Sequence, residues 1–246
     1  MKSVVTIASI LMLFLSASYV SAQDDVFVSR TTACSINPGY TMADVVETAR
    51  NLEWPEDMAP GYVAFREDIA VGGNNPEIDF IAEFSYPSYA DMIEKRGAFL
   101  RSRARRPGHR GLDGVATCDD NVWISNVRYT RPASQFGAGP IAPVAPVAQT
   151  LCELNGATVA DAVALAETFR ENVGARGAGV VSRIFGGPRR PNNSAVVMRF
   201  LFQSFPDFGS GMDQFNQNSA GPNQETPISC STGRLRRSYR IHSRNN

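Results

Sequence analysis

The segment "RLRRSYRIH" beginning at Arg234 sets Arg234, Arg236 and Arg240 on alternate positions with Ser238, so one face of an extended chain carries three guanidinium groups. Arg199 in "AVVMRFLF" and Arg128 in "NVWISNVRYT" take similar alternate positions in two other strand-like segments. A guanidinium is planar, permanently charged and shaped to match a carboxylate or a phosphate. Candidate carboxylates are Asp79 and Glu83, which share a face with Ile81 in "EIDFIAEFSYP". Two readings stay open. Asp79 and Glu83 pair with arginines of the other half of the chain and fix its register, or surplus arginines among Arg128, Arg199, Arg234, Arg236 and Arg240 leave a positive site for an anionic small molecule.

Motifs for other chemistry are missing from the sequence. There is no Gly-rich phosphate loop of Walker type, no HExxH and no GxSxG elbow, so no residue is assigned as catalytic. Two histidines, His109 and His242, and the lack of any CxxC argue against a metal site, and no cofactor is expected. The adjacent Asp119 and Asp120 lack EF-hand spacing and read as a solvated stretch.

The elements that must position these residues come in two similar sets. After Thr41, apolar residues fall at Met42, Val45, Val46, Ala49 and Leu52, the spacing of an amphipathic helix. The same spacing recurs 117 positions later at Val159, Ala162, Val163, Ala166 and Phe169. Thr41 with Asp44, and Thr158 with Asp161, each resemble a capping box with Asp in place of Glu. Strands are expected from Gly61, Glu77 and Asn121 in the first set and from Gly179, Ala195 and Arg234 in the second. The turn-rich "GGNNP" from Gly72 and "GGPRRPNN" from Gly186 read as hairpin loops. A second helix after Tyr89 is expected to carry Met92, Ile93, Arg96, Phe99 and Leu100 on one face; its counterpart near Met212 and Phe215 is short and Gly-rich. With a strand before each capped helix, the order in each set is βαββαβ, the ferredoxin-like arrangement.

That order accounts for the cysteines. In a βαββαβ unit the first and last strands are antiparallel neighbours, which selects Cys34 with Cys118 and Cys152 with Cys230 from the three possible connectivities. Closing loops of 84 and 78 residues stabilises each unit by up to about 4 kcal/mol in the chain-entropy treatment. The alternative is four free buried thiols. Alternation also assigns faces: Trp123, Val127 and Tyr129 are expected to cover the helices, with Leu235, Tyr239 and Ile241, leaving Val122, Ile124, Asn126 and Arg128 opposite.

This duplicated pattern, from roughly Val26 to Thr130 and from Val147 to His242, resembles the dimeric α/β-barrel superfamily. The resemblance implies an α+β chain of two tandem ferredoxin-like units packed sheet to sheet as a pseudo-dimeric barrel. That superfamily includes antibiotic-biosynthesis-type monooxygenases and stress-responsive barrel proteins. It transfers no functional residue to this sequence, and the two histidines do not support the haem-binding variant. Fold does not fix function. The expected role is an exported protein that binds a small molecule or a partner, with an anionic ligand between the sheets; the alternatives are a cofactor-independent monooxygenase-like enzyme or a structural protein.

The domain plan is a signal peptide at 1–22, a first unit at 23–131, a Pro/Ala/Gly-rich linker at 132–146 and a second unit at 147–246. Residues 1–22 combine Lys2, an apolar run from Val4 to Leu15 and small residues at Ser21 and Ala22, which directs the chain to a periplasm or the exterior. An uncleaved anchor is the alternative. Whole-chain charge is zero, but Gln23–Thr130 carries 17 acids against 11 bases and Arg131–Asn246 carries 7 against 12. Such asymmetry argues against nucleic acid as a partner and suits two halves that attract one another, a monomeric pseudo-dimer. The basic run from Lys95 to Arg110 holds seven Lys and Arg and reads as a solvated helix end, or as a weak contact with a membrane surface or polyanion.

Overall fold

Thr41 and Thr158 each start a helix by the same device. Thr41 has extended backbone, its N–H donates to Asp44 Oδ2 at 2.7 Å, and the Asp44 N–H donates back to Thr41 Oγ1 at 3.4 Å. Thr158 and Asp161 repeat this at 2.8 and 3.2 Å. Each box satisfies two N–H groups that a helix start leaves without intrahelical partners. The computed structural model of the chain describes residues 26–70, 78–105, 111–112, 114–131, 142–186, 194–218, 227–231 and 233–243. The segment 1–22 expected to be a signal peptide, the whole hairpin loop from Gly72, the loop from Gly186 beyond that first residue, His109 and most of the expected linker lie outside them.

The elements run β1 (Val26–Ile36), α1 (Met42–Arg50), β2 (Tyr62–Ala70), β3 (Phe80–Tyr86), α2 (Tyr89–Arg105), β4 (Ala116–Tyr129), β5 (Val144–Glu153), α3 (Val159–Asn172), β6 (Gly177–Phe185), β7 (Ala195–Leu201), α4 (Phe205–Asn218), β8 (Ser229–Cys230) and β9 (Arg234–Ser243). All strand pairs are antiparallel, in the order β7-β6-β4-β1-β3-β2-β9-β5, and β5 pairs with β7 to close the ring. Among the described residues the fold is thus an α+β closed barrel of eight strands with four helices; β8 only extends one end of β5.

This corrects the expectation of two sheets packed face to face. The halves meet edge to edge, β4 with β6 and β2 with β9, over registers such as Val127 opposite Val181 and Phe65 opposite Tyr239. Two separate sheets would expose four strand edges with unpaired N–H and C=O groups, and closure removes all four.

Closure leaves two kinds of core. Under α1, Val45, Val46 and Ala49 meet Val63, Phe65, Phe80 and Ala82. Under α3 and α4, Ala162 and Ala166 meet Val180, Val196, Met198 and Phe200, with Phe169 and Phe215 alongside. These residues mark the outer, helix-covered face of the sheet, and alternation puts their neighbours inside the barrel. On β4 the expected faces are therefore reversed. Ile124 packs outward with Val28, Tyr86 and Met92, and Arg128 lies opposite Val26 and Val180 on the same outer face; Trp123, Ser125, Val127 and Tyr129 point inward. Because a closed barrel buries both faces, apolar character no longer distinguishes them.

α2 forms where expected and buries only part of that face. Met92 and Lys95 are buried, whereas Ile93, Phe99 and Leu100 are exposed. α4 is a full 14-residue helix rather than a short one. Gly211 lets it approach: a Cβ there would lie 2.0 Å from the Val173 carbonyl oxygen. The sheet brings Cys34 opposite Cys118 and Cys152 opposite Cys230, and both pairs are disulfide-bonded.

Candidate functional site

The barrel interior is charged at its middle. Glu83 of β3 is 1% exposed, and β3 and β7 stand on opposite sides of the ring. Arg199 of β7 reaches across and donates to Glu83 Oε1 at 2.9 Å, while Arg66 of β2 donates to Oε2. Burial alone would raise the Glu83 carboxyl; the charge and hydrogen bonds of Arg199 and Arg66 outweigh it and hold the group at about 2. Burial and the neighbouring Arg66 lower Arg199 from the ordinary arginine value, opposed by Glu83. The Nε atoms of Arg66 and Arg199 are buried without hydrogen-bond partners. One carboxylate thus serves two guanidinium groups.

A second cluster lies along the β2–β9 seam. Asp68 and Arg236 are register partners, and Arg236 Nε donates to Asp68 Oδ1 at 2.5 Å. Arg234 is more open and 3.8 Å from the same carboxylate. Burial lowers Arg236 most, with Asp68 opposing. On the outer side of the seam, Glu67 accepts from Arg237 at 3.1 Å and from the Tyr239 hydroxyl at 2.8 Å.

Aromatic groups complete the interior face. Tyr62 and Tyr129 keep part of their surface open, yet burial pushes both phenols above the usual tyrosine range. Arg66 opposes this at Tyr62, and Arg199 opposes it at Tyr129 while Glu83 reinforces it. The Tyr129 ring stands edge-on to Phe27 at 5.6 Å and against Gly179, where a Cβ would meet ring carbons at 3.1 and 3.4 Å. Trp123 carries the Arg183 guanidinium over its ring at 5.3 Å.

Of the residues singled out in the sequence, Arg199, Arg234, Arg236, Arg240 and Glu83 share the interior face. Arg240 is the partner of Ala64, and its carbonyl accepts from Arg50 at 3.1 and 3.0 Å. Arg128 faces outward. Asp79 accepts from the Ile36 N–H at 2.6 Å at the end of β1 and is exposed. His242 stacks on Trp54 at 5.2 Å, outside the barrel. Sequence reasoning missed Tyr62, Arg66 and Asp68, which alternation along "YVAFREDIA" puts on one face, and it put Trp123 and Tyr129 on the wrong one. Among the described residues no group of three or more His, Cys, Asp or Glu is arranged to hold a metal ion.

No protein-family model matches the sequence, and no curated protein is detectably similar to it. Solved structures do match. One named as a candidate monooxygenase from Fusobacterium nucleatum subsp. nucleatum aligns over 88% of this chain and 92% of its own, with a TM-score of 0.51 at 8% identity. A candidate chlorite dismutase aligns over 88% and 95%, at 0.45 and 12%, and an anthrone oxidase-like protein over 89% and 94%, at 0.43 and 8%. At such identities the likeness is one of fold alone, and the fold is like that of dimeric α/β-barrel proteins. The expectation of a binding protein with an anionic ligand between two sheets is corrected here. Arg66 and Arg199 are engaged by Glu83 and Arg236 by Asp68, and the Fusobacterium structure is named as a candidate monooxygenase rather than as a binding protein.

Proposed function

We propose that the chain is a cofactor-independent oxygenase-like enzyme that oxidises an electron-rich phenol at one end of the barrel. The observation that carries the reading is the pairing of two protonated phenols, Tyr62 and Tyr129, with an interior that holds more guanidinium than carboxylate. The likeness in fold to the Fusobacterium candidate monooxygenase adds support. For a phenol whose ring lies beside Tyr129, Arg199 and Arg66 oppose the burial that holds it protonated and stabilise the phenolate, the better electron donor to oxygen. In the overall reaction a ring C–H opposite the hydroxyl becomes a carbonyl. One oxygen atom of O2 enters the ring, the other leaves as water, and the substrate supplies all four electrons. Tyr62 or Tyr129, held protonated by burial, supplies a hydrogen bond or proton to the departing oxygen.

Within the same reading, the halves are tandem ferredoxin-like units. Support comes from the strand orders β4-β1-β3-β2 and β9-β5-β7-β6 and from the two matching capping boxes. Residues 1–22 act as an export signal, with two disulfides fitting an oxidising compartment.

The test is quinone formation by metal-stripped protein against a panel of phenols with one to three fused rings, for the native chain, Tyr129→Phe and Tyr62→Phe. Turnover of at least one phenol, with kcat falling at least ten-fold in one variant and melting unchanged, supports the assignment. Lack of turnover across the panel, or equal turnover in both variants, removes it.

A further inference from the structure

α2 buries a cation and exposes apolar side chains. Its inward face carries Met92 and Lys95, the latter paired with Asp91 at 2.8 Å. Its outward face carries Ile93 at 67% and Leu100 at 49% exposure, one and then two turns apart, with Gly97 between them. Phe99 is exposed beside them, under the Arg96 guanidinium at 5.0 Å. Phe185, 58% exposed, is the register partner of Ile124, which packs with Met92 beneath α2, so it adds apolar area on the same side of the sheet.

The flanks of this face are basic. Arg96 and Arg101 stand on either side of the Ile93–Leu100 stripe, and Arg30 of β1 lies within the electrostatic reach of Arg96, over the Phe84 ring at 5.7 Å. Acids on the helix are Asp91, engaged by Lys95, and Glu94. This positive rim sits on the half of the chain that is otherwise acidic, 17 acids against 11 bases. A second copy of the same face would bring like charges together, which disfavours self-association through it. Apolar side chains rimmed by arginine, on a helix lying flat on the molecule, match the interface of an anionic bilayer.

We propose that α2 docks the protein on an anionic lipid surface, with Ile93, Phe99 and Leu100 entering the headgroup boundary and Arg96 and Arg101 contacting lipid phosphates. The docking places the helix parallel to the bilayer and leaves the barrel outside it; no described helix is long and apolar enough to cross a membrane.

The experiment is vesicle flotation of the full chain, N-terminus verified by mass, with phosphatidylcholine vesicles and with vesicles containing about one-third phosphatidylglycerol. Binding to the anionic vesicles is expected to exceed binding to the neutral ones at least ten-fold and to fall in high salt. Arg96→Gln/Arg101→Gln should weaken it by about 25-fold, since each basic residue near the surface contributes about five-fold. Ile93→Ser/Leu100→Ser should weaken it without changing the melting temperature, because both side chains are exposed. Equal binding to both vesicle types, or binding unchanged in either variant, overturns the proposal. So does a concentration-dependent dimer in sedimentation that Ile93→Ser/Leu100→Ser abolishes, which would assign the face to a second copy.

Discussion

Replacing Glu83 by Gln probes the centre of the barrel with almost no change in shape. The amide keeps the size of the carboxyl and removes its charge, leaving Arg66 and Arg199 buried together without compensation. Breaking a buried pair by removing one partner costs about 3–5 kcal/mol. The carboxyl itself gives a similar figure: a group held at about 2 instead of 4.5 corresponds, at about 1.4 kcal/mol per pH unit, to roughly 3 kcal/mol in favour of the charged form. For a domain of this size each kcal/mol moves the melting temperature by about 2–4 °C, so Glu83→Gln should melt roughly 6–20 °C lower at neutral pH. The sign with pH follows from a folded-state value below the unfolded one. The contribution of Glu83 is complete above about 4.5 and lost as pH falls toward about 2, so the gap between native and variant should close in acid. Adding Arg199→Met should restore part of the loss by removing one uncompensated cation. Melting of the variant within 2 °C of the native chain at neutral pH, by about the least shift that a 1 kcal/mol change produces, would refute the reasoning.

Further outcomes follow from the disulfides and the capping boxes. Cys34→Ala/Cys118→Ala should lower stability by about 2–5 kcal/mol in denaturant titration, and intact mass of the native chain should be four hydrogens below the reduced one. Thr158→Ala and Thr41→Ala should each cost about 1 kcal/mol in thermal melts, because their capping boxes are alike; a large disparity would contradict that equivalence.

The first helix of each half was legible because capping and apolar spacing are local. Thr41 and Thr158 act through residues three positions on, and Val45, Val46 and Ala49 are buried as their spacing requires. The disulfides followed from topology, since antiparallel first and last strands put Cys34 beside Cys118 and Cys152 beside Cys230. The charge asymmetry was also informative: Asp68 and Glu83 of the acidic half meet Arg236 and Arg199 of the basic half. Closure of the ring was less legible. Nothing local in β4 or β6 states that their edges join, and once they do, Trp123 and Tyr129 are sheltered by the opposite wall as well as helix-facing residues are by α2. That is why the apolar rule chose the wrong face of β4. On α2 apolar type does not mark the buried side, because Lys95, long enough to reach Asp91 along its own helix, takes an inward position while Ile93 stays exposed. Arg66 and Asp68 are legible only in the alternation along β2, which turns both charges inward once the barrel closes.

The most direct test of the proposed chemistry is oxygen-18 labelling of the product formed by metal-stripped protein from a phenol that it turns over. If the substrate itself reduces oxygen inside the barrel, one labelled atom from O2 appears in the new carbonyl, one O2 is consumed per product, and chelators change neither. Label arriving from water alone, or turnover that returns only when a metal is added, would contradict it.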